Sequence, residues 1–356
     1  GQWRWIGGGE PGADREAARF VGYETLRTPT RIIGLRSVGD AGEFEVVLDP
    51  TPFYAEAGGQ VGDVGTIRGE GLLLRVKDTQ PGAGGPVSRV QILQGDLEGS
   101  ELADVDLVAE VETPDRLSTM RNHTATHLLH AALRRELGEH ATQAGSLVNP
   151  EKLRFDFHHD GALGREVLDR LEQEVNEQVL RDFPVTKHVD VPIDRAKEMG
   201  AVAMFGEKYG EKVRVVQVAD VSTEFCGGTH CDHTGQIGLF RITAESAVGA
   251  GLRRVEAVTG EQAVRLAQQE HRILRGLGDR LSARPDEIET RVASLQDELK
   301  SLRAELGTAR RAQAGDLVGQ LVEEAEEIDG IRLVARQIEV ADRKSLMDMG
   351  DELREK

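Results

Sequence analysis

The sequence predicts an α+β protein built in successive modules: a small β-barrel, an α+β core made of a sheet with packed helices, a helical coiled-coil region, and a partial α/β unit. Three observations carry this reading. Short apolar runs separated by Gly, Pro and Asp fill the first hundred or so residues. Helical and strand-like periodicities then alternate after Thr113. Aliphatic residues at heptad spacing follow from Ile288. The expected boundaries are 1–114 for the barrel, 115–260 for the core, 261–328 for the helical segment and 329–356 for the start of the last unit.

The opening stretch Gly7-Gly8-Gly9-Glu10-Pro11-Gly12 reads as a loose lead-in. From about Phe20 to Glu112 the runs FEVVLD, GLLLRV, RVQIL and VDLVAEV alternate with turn formers, as in a small all-β barrel. Within it TPFYAEAGGQVGD, residues 51–63, places Gly58, Gly59 and Gln60 in a strand-like context, so a bulge or turn is expected there. The pattern changes at Thr113-Pro114-Asp115. Thr is a good N-cap, Pro fits the first turn, and the acid sits near the positive end of the helix dipole, so a helix to about Leu137 is expected.

SLV and LRFDFHH read as strands, the second alternating Leu153, Phe155 and Phe157. Residues 165–182 form an amphipathic helix with Val167, Leu171, Val175 and Val179 on one stripe. Strands near VTKHVDV, VRVVQV, IGLFRITAE and LRRVEAV complete the core sheet. Beyond it, Ile288, Val292, Leu295, Leu299, Leu302 and Leu306 form a seam too short to stand alone. It is expected to be one arm of a helical hairpin with 261–280 or 316–328, and this segment is the expected homodimer contact. After Asp329-Gly330, IRLVARQIEV reads as a strand and ADRKSLMDMGDELREK as a helix.

The chain has 356 residues and net charge −18, and its middle segment is the least acidic. Such a field excludes a broad basic nucleic-acid footprint, so RNA contact would rest on local clusters such as Arg253-Arg254. The two cysteines, Cys226 and Cys231, lie too close together for a disulfide to be expected. With an acidic composition, no signal peptide and no apolar run of membrane length, they point to a reducing cytoplasm. The first residue is not Met and the last unit has no room for a complete sheet, which predicts a piece of a longer protein.

The chemistry-bearing pattern is HTATH followed, about a hundred residues on, by CGGTH. His123 and His127 lie one helical turn apart on one face and reach a common point. Cys226 and His230 bracket the flexible turn Gly227-Gly228-Thr229, which can fold both side chains back together. Nitrogen and sulfur donors in this mixture suit Zn²⁺ better than the oxygen-seeking Mg²⁺ or Ca²⁺. Cys231 and His233 remain alternatives to Cys226 or His230, and His130 shares the helical stripe as a packing or supporting residue. Zinc metalloproteases use the same His spacing with Glu directly after the first His; Thr124 occupies that position here, which argues against a protease.

Together these motifs resemble the editing half of alanyl-tRNA synthetases and the related free-standing editing proteins called AlaX. FVGYETL and TPFYAEAGGQVGDVG match the translation-factor-like barrel. RNHTATHLLHAAL, GSLVNPEKLRFDF, CGGTHCDHTGQIG and GLRRVEAVTG match the editing core. Threonyl-tRNA synthetases share a cognate core, but the preceding barrel argues for the alanine family. The resemblance implies hydrolysis of serine or glycine wrongly esterified to the 3′ end of the alanine tRNA, with His123, His127, Cys226 and His230 as zinc ligands. It also implies a substrate-side role for Gln143 in ATQAGSL, with the Gly58-Gly59-Gln60 turn facing the same region. Thr124 is a further candidate for reading the seryl hydroxyl, with simple helix packing as its other reading. A zinc-stabilised tRNA-binding and dimerisation module without chemistry is the competing expectation.

Overall fold

The computed structural model describes residues 1–7, 16–39, 42–97, 105–202, 210–339 and 343–355. Contacts group the chain into two units, Gly1–Ala267 and Gln268–Lys356.

The first unit opens with β1 (Arg4–Trp5), β2 (Arg27–Ser37), β3 (Glu43–Asp49), β4 (Gly65–Gly69), β5 (Leu72–Gly82), β6 (Gly85–Gln94) and β7 (Leu107–Val111). The sheet runs β1-β2-β3-β6-β5-β4-β7, and β2 also pairs with β7, so six strands close into an antiparallel barrel with β1 attached outside the ring. Alternation explains the closure: Phe44, Val46 and Leu48 on β3 and Leu72, Leu74 and Val76 on β5 all point inward and are buried together. Full burial of each such side chain contributes about 1.5–3 kcal/mol. The segment around Gly58–Gln60 is not a strand. It forms a tight turn, Gln60 N–H donating to Ala57 O at 3.0 Å and Ala57 N–H returning to Gln60 O at 3.1 Å.

The core follows with α1 (Thr113–Leu137), β8 (Gln143–Val148), β9 (Leu153–His158), α2 (Arg165–Leu180), β10 (Val185–Pro192), α3 (Ile193–Glu198), β11 (Lys212–Val218), β12 (Ser222–Phe225), β13 (Phe240–Gly249) and β14 (Leu252–Thr259). Thr113 is not the N-cap of α1. Glu112 holds that place without a side-chain cap bond, because its N–H is tied to Val64 O at 2.9 Å and the end of the barrel sets where the helix starts. Nor is there one core sheet. Two antiparallel sheets form, β10-β11-β12 and β13-β14-β9-β8, with no strand pairing between them among the described residues. α1 touches both of them and α2. Leu128, Leu129 and Leu133 of α1 join Phe155, Phe157, Leu171, Val175, Val216 and Val255 in a single apolar cluster. A helix enclosed this way lacks a polar face, and its buried polar side chains must find partners inside. His123, Thr124, Thr126, His127 and His130 are among those side chains, with Arg116, Thr119 and Asn122 nearer the start of the helix.

α4 (Gly260–Leu281) leads out of the first unit, and α5 (Ile288–Glu323), β15 (Glu326–Ile328), β16 (Ile331–Leu333) and α6 (Arg343–Glu355) follow. Residues 316–323 continue α5, so the stretch 316–328 is no returning hairpin arm. GTARRAQAG offers glycine but no proline, and the helix runs through it. The seam at Val292, Leu295, Leu299, Leu302 and Leu306 stays exposed. The expected strand IRLVARQIEV is only Ile331–Leu333, because β15, its partner among the described residues, offers three residues; residue 340 of that run lies outside the described residues. Among the described residues no helix is long and apolar enough to cross a membrane.

Candidate metal centre

The first two ligand candidates come from the enclosed face of α1, one turn apart. The other two come from the loop that leaves β12. Antiparallel pairing with β11 sets the path of that loop, and Cys226 N–H continues the ladder to Arg214 O at 3.0 Å. Arg214 then turns its Nη1 onto Cys226 O at 2.9 Å and Gly228 O at 2.8 Å, closing the turn. Tyr23 of the barrel packs beneath the Arg214 guanidinium, 4.3 Å from its ring centroid, and donates its hydroxyl to Gly227 O. The turn passes close against the helix: a Cβ on Gly228 would lie 2.1 Å from His123 Cε1, so only glycine fits.

His123, His127, Cys226 and His230 meet as a buried group whose ligand atoms all lie within 4.8 Å of one another. Cys226 Sγ is 3.4 Å from His123 Nε2 and 3.2 Å from His230 Nε2. Donors arranged tetrahedrally around an ion at zinc-like bond lengths stand about 3.3–3.8 Å apart. Burial, with the neighbouring imidazoles adding to it, holds His123 and His230 well below the ordinary imidazole range. Burial also lowers His127, against the opposing pull of Glu224. Neutral imidazoles are the form that binds a metal, so the four side chains could hold one ion.

Of the alternatives open at the sequence level, Cys231 packs in the apolar core, where burial pushes its thiol up to about 11, and His233 sits exposed with Nδ1 3.3 Å from Asp182 O. His130 stacks near Phe155 and places Nδ1 3.3 Å from Glu224 Oε1.

The remaining candidates divide. Thr124 is fully buried; its hydroxyl donates to Met120 O at 2.8 Å, accepts from Cys231 N–H at 3.1 Å, and lies 3.2 Å from His230 Nδ1. With its own proton on Met120 O, the hydroxyl accepts from His230 Nδ1–H and leaves Nε2 free on the cysteine side. Gln60 is buried against His123 and Thr229. Gln143 is half-buried on β8 and donates to Ser146 Oγ at 3.2 Å, which in turn lies 3.4 Å from Gly58 O. Gly59 has φ +82°, and a Cβ there would sit 2.3 Å from Ser146 Oγ, so the turn presses directly on β8.

Sequence reasoning missed Glu224. Its buried carboxylate lies 3.9 Å from His127 Nδ1 and accepts from Ser222 Oγ at 2.9 Å. Burial disfavours its charge, but His127 and His130 outweigh that and hold it down to about 2. The available signal was alternation: Ser222 and Glu224 share one face of β12, and Cys226 continues that phase. Beside His230 opens a cavity of about 370 Å³ lined by Tyr23, Leu117, Lys187, Arg214 and Thr229.

Residues 213–256 match the model of the threonyl and alanyl tRNA synthetase second additional domain, and residues 13–107 match that of class II (A) tRNA synthetases. The chain is 41% identical over 358 residues to an alanine–tRNA ligase of Bacillus cereus, covering 99% of this chain and 40% of that protein. It is equally 41% identical over 365 residues to one of Chlorobium luteolum, covering 100% of this chain and 40% of the relative. The chain thus spans about 40% of the length of the curated relatives it matches.

Proposed function

We propose, from the relationship of this chain along its whole length to alanine–tRNA ligases, that it hydrolyses serine or glycine wrongly esterified to the 3′ end of the alanine tRNA, at a site holding one Zn²⁺ on His123, His127, Cys226 and His230. The observation that carries this is the buried three-imidazole, one-thiol cluster, two of whose members lie in the segment matching the synthetase additional domain. Nitrogen and sulfur donors, with two of the sulfur-to-nitrogen separations close to a tetrahedral edge, favour zinc over oxygen-seeking cations. Bound zinc supplies a Lewis-acid centre that polarises an ester carbonyl or anchors the substrate.

The chain's own groups take the other roles. The adjoining cavity carries both signs, Lys187 and Arg214 beside Glu24 and Asp232, with Lys187 Nζ 2.6 Å from Asp232 Oδ1, and Tyr23 offers an aromatic wall on which a base of the tRNA end can stack. To Gln143, half-buried on β8 with its amide on Ser146 Oγ, we assign the reading of a side-chain hydroxyl. Hydrogen-bond readout separates serine from alanine far better than pocket size does.

Incubation of the zinc-loaded chain with seryl-tRNA for alanine is expected to release serine above the spontaneous rate. Gln143→Ala is expected to slow seryl-tRNA hydrolysis about five- to a hundredfold more than glycyl-tRNA hydrolysis, following the roughly 1–3 kcal/mol lost when a buried polar partner is left unpaired. Equal slowing of both would make Gln143 a support of the site as a whole. Release only at the spontaneous rate would favour the second reading, a zinc-stabilised tRNA-binding module, for which the closed set of four protein donors speaks.

We assign the exposed seam of α5 to coiled-coil self-association in the cytoplasm, since an apolar stripe of this kind gains by being covered. Sedimentation over a wide concentration range is expected to show a reversible dimer that Leu299→Glu with Leu302→Glu abolishes. A dimer insensitive to those changes would place the contact elsewhere.

A further inference from the structure

We propose that Gln60, a residue of the barrel, is a positioning residue of the metal centre: it fixes which nitrogen of His123 carries the proton and holds the ligand loop against that ring. The inference rests on the zinc reading of the four-residue cluster. Gln60 is fully buried, so its amide must find its partners inside the protein. The Thr229 backbone N–H can only donate, and it donates to Gln60 Oε1 at 2.9 Å. That contact fixes the amide orientation: Oε1 accepts, and Nε2 donates to Thr229 Oγ1 at 2.9 Å.

The same Oε1 lies 2.7 Å from His123 Nδ1. An amide oxygen carries no proton, so Nδ1–H must be the donor. His123 Nε2 keeps its lone pair, on the side where Cys226 Sγ stands 3.4 Å away. One barrel oxygen therefore takes two hydrogen bonds, from the ring of one ligand and from the loop residue between two others. His127 Nδ1 has no hydrogen-bond partner among the described residues; the Glu224 carboxylate stands 3.9 Å from it, beyond hydrogen-bond reach. The approach depends on position 228 having no side chain, because a Cβ there would come within 2.8 Å of Gln60 Oε1. Gln60 is itself held by the Ala57–Gln60 turn and by the parallel bridge from Gln60 to Val148 of β8. The barrel thereby braces a ligand set that the core alone supplies.

The test measures zinc affinity of the full chain by competition with a chromophoric chelator, and the visible absorption of the cobalt-substituted protein, for wild type, Gln60→Met and Gln60→Glu. Met keeps the length of the side chain and removes the acceptor. Glu keeps an acceptor oxygen for both N–H groups, and the Thr229 hydroxyl can rotate to donate to it. Gln60→Met is expected to weaken zinc binding about 10- to 100-fold and to alter the cobalt bands, and Gln60→Glu to return affinity to within a few-fold of wild type. A packing role alone gives no reason for a buried Glu to outperform Met. Gln60→Ala makes the same comparison should Met fail to fold. Wild-type zinc affinity in Gln60→Met or Gln60→Ala, or a Glu variant weaker than both, overturns the proposal while the zinc site stands. A wild-type chain that takes up neither zinc nor cobalt overturns the zinc reading, and this proposal falls with it.

Discussion

Arg116→Ala is expected to destabilise the first unit by about 3–5 kcal/mol, the cost of breaking a buried ion pair and leaving its partner charged. Arg116 sits in the first turn of α1 at 1% exposure. Its Nε donates to Asp63 Oδ1 at 3.0 Å and Nη2 pairs with Asp63 Oδ2; Nη1 reaches Gly22 O at 2.7 Å and Nη2 also reaches Pro52 O at 3.0 Å. Asp63 accepts in addition from Tyr54 N–H at 2.6 Å. One planar guanidinium thus satisfies a carboxylate and two carbonyls of three barrel segments, which a lysine cannot reproduce. At roughly 2–4 °C per kcal/mol for a unit of this size, thermal melting should shift by on the order of 10 °C. Arg116→Met combined with Asp63→Leu should lose less than Arg116→Ala, because no charge is left stranded. Melting of Arg116→Ala within about 1 °C of wild type would show that the pair does not dock the helix on the barrel.

Cys226→Ala is expected to reduce bound zinc from about one per chain to near none and to remove ester hydrolysis, whereas Cys231→Ala keeps both. Cys226 is the only sulfur in the convergent group, in contact with two of its three imidazoles. Without it, three rings remain around the position of one ion, and a thiolate, the strongest zinc donor of the set, is lost. Cys231, five residues on, packs against the apolar core and gives up only a small buried side chain on truncation to alanine. Elemental analysis after gel filtration, followed by seryl-tRNA deacylation, reads both outcomes. Zinc retained by Cys226→Ala, or lost from Cys231→Ala, would move the ligand set along the loop.

Much of the local structure was legible because it repeats within a few residues. Val167, Leu171, Val175 and Val179 announce α2 through their spacing, and Leu153, Phe155 and Phe157 announce β9 through theirs. Prediction failed where pairing partners set the limits. Residues 334–339 look like a strand, yet β15 gives a partner only as far as Leu333. Of the two arms expected to return against the seam of α5, 316–328 is ruled out, because residues 316–323 extend the same helix.

The same division runs through the candidate metal centre. By itself the sequence determined the candidate donor types and half of their geometry: helical pitch puts His123 and His127 on one face, and Gly227-Gly228 lets Cys226 and His230 fold toward each other. Only the tertiary structure decided that Cys226 rather than Cys231 joins the three imidazoles, that Thr124 and Gln60 hold the rings of His230 and His123, and that Glu224 stands behind His127. Those contacts join residues 106, 63 and 97 positions apart, and the Arg116–Asp63 pair spans 53. Periodicity reports what a residue meets within a turn or across a pleat. Which distant backbone a buried amide or guanidinium satisfies is fixed only when the barrel and the core pack and every enclosed polar group must find a partner.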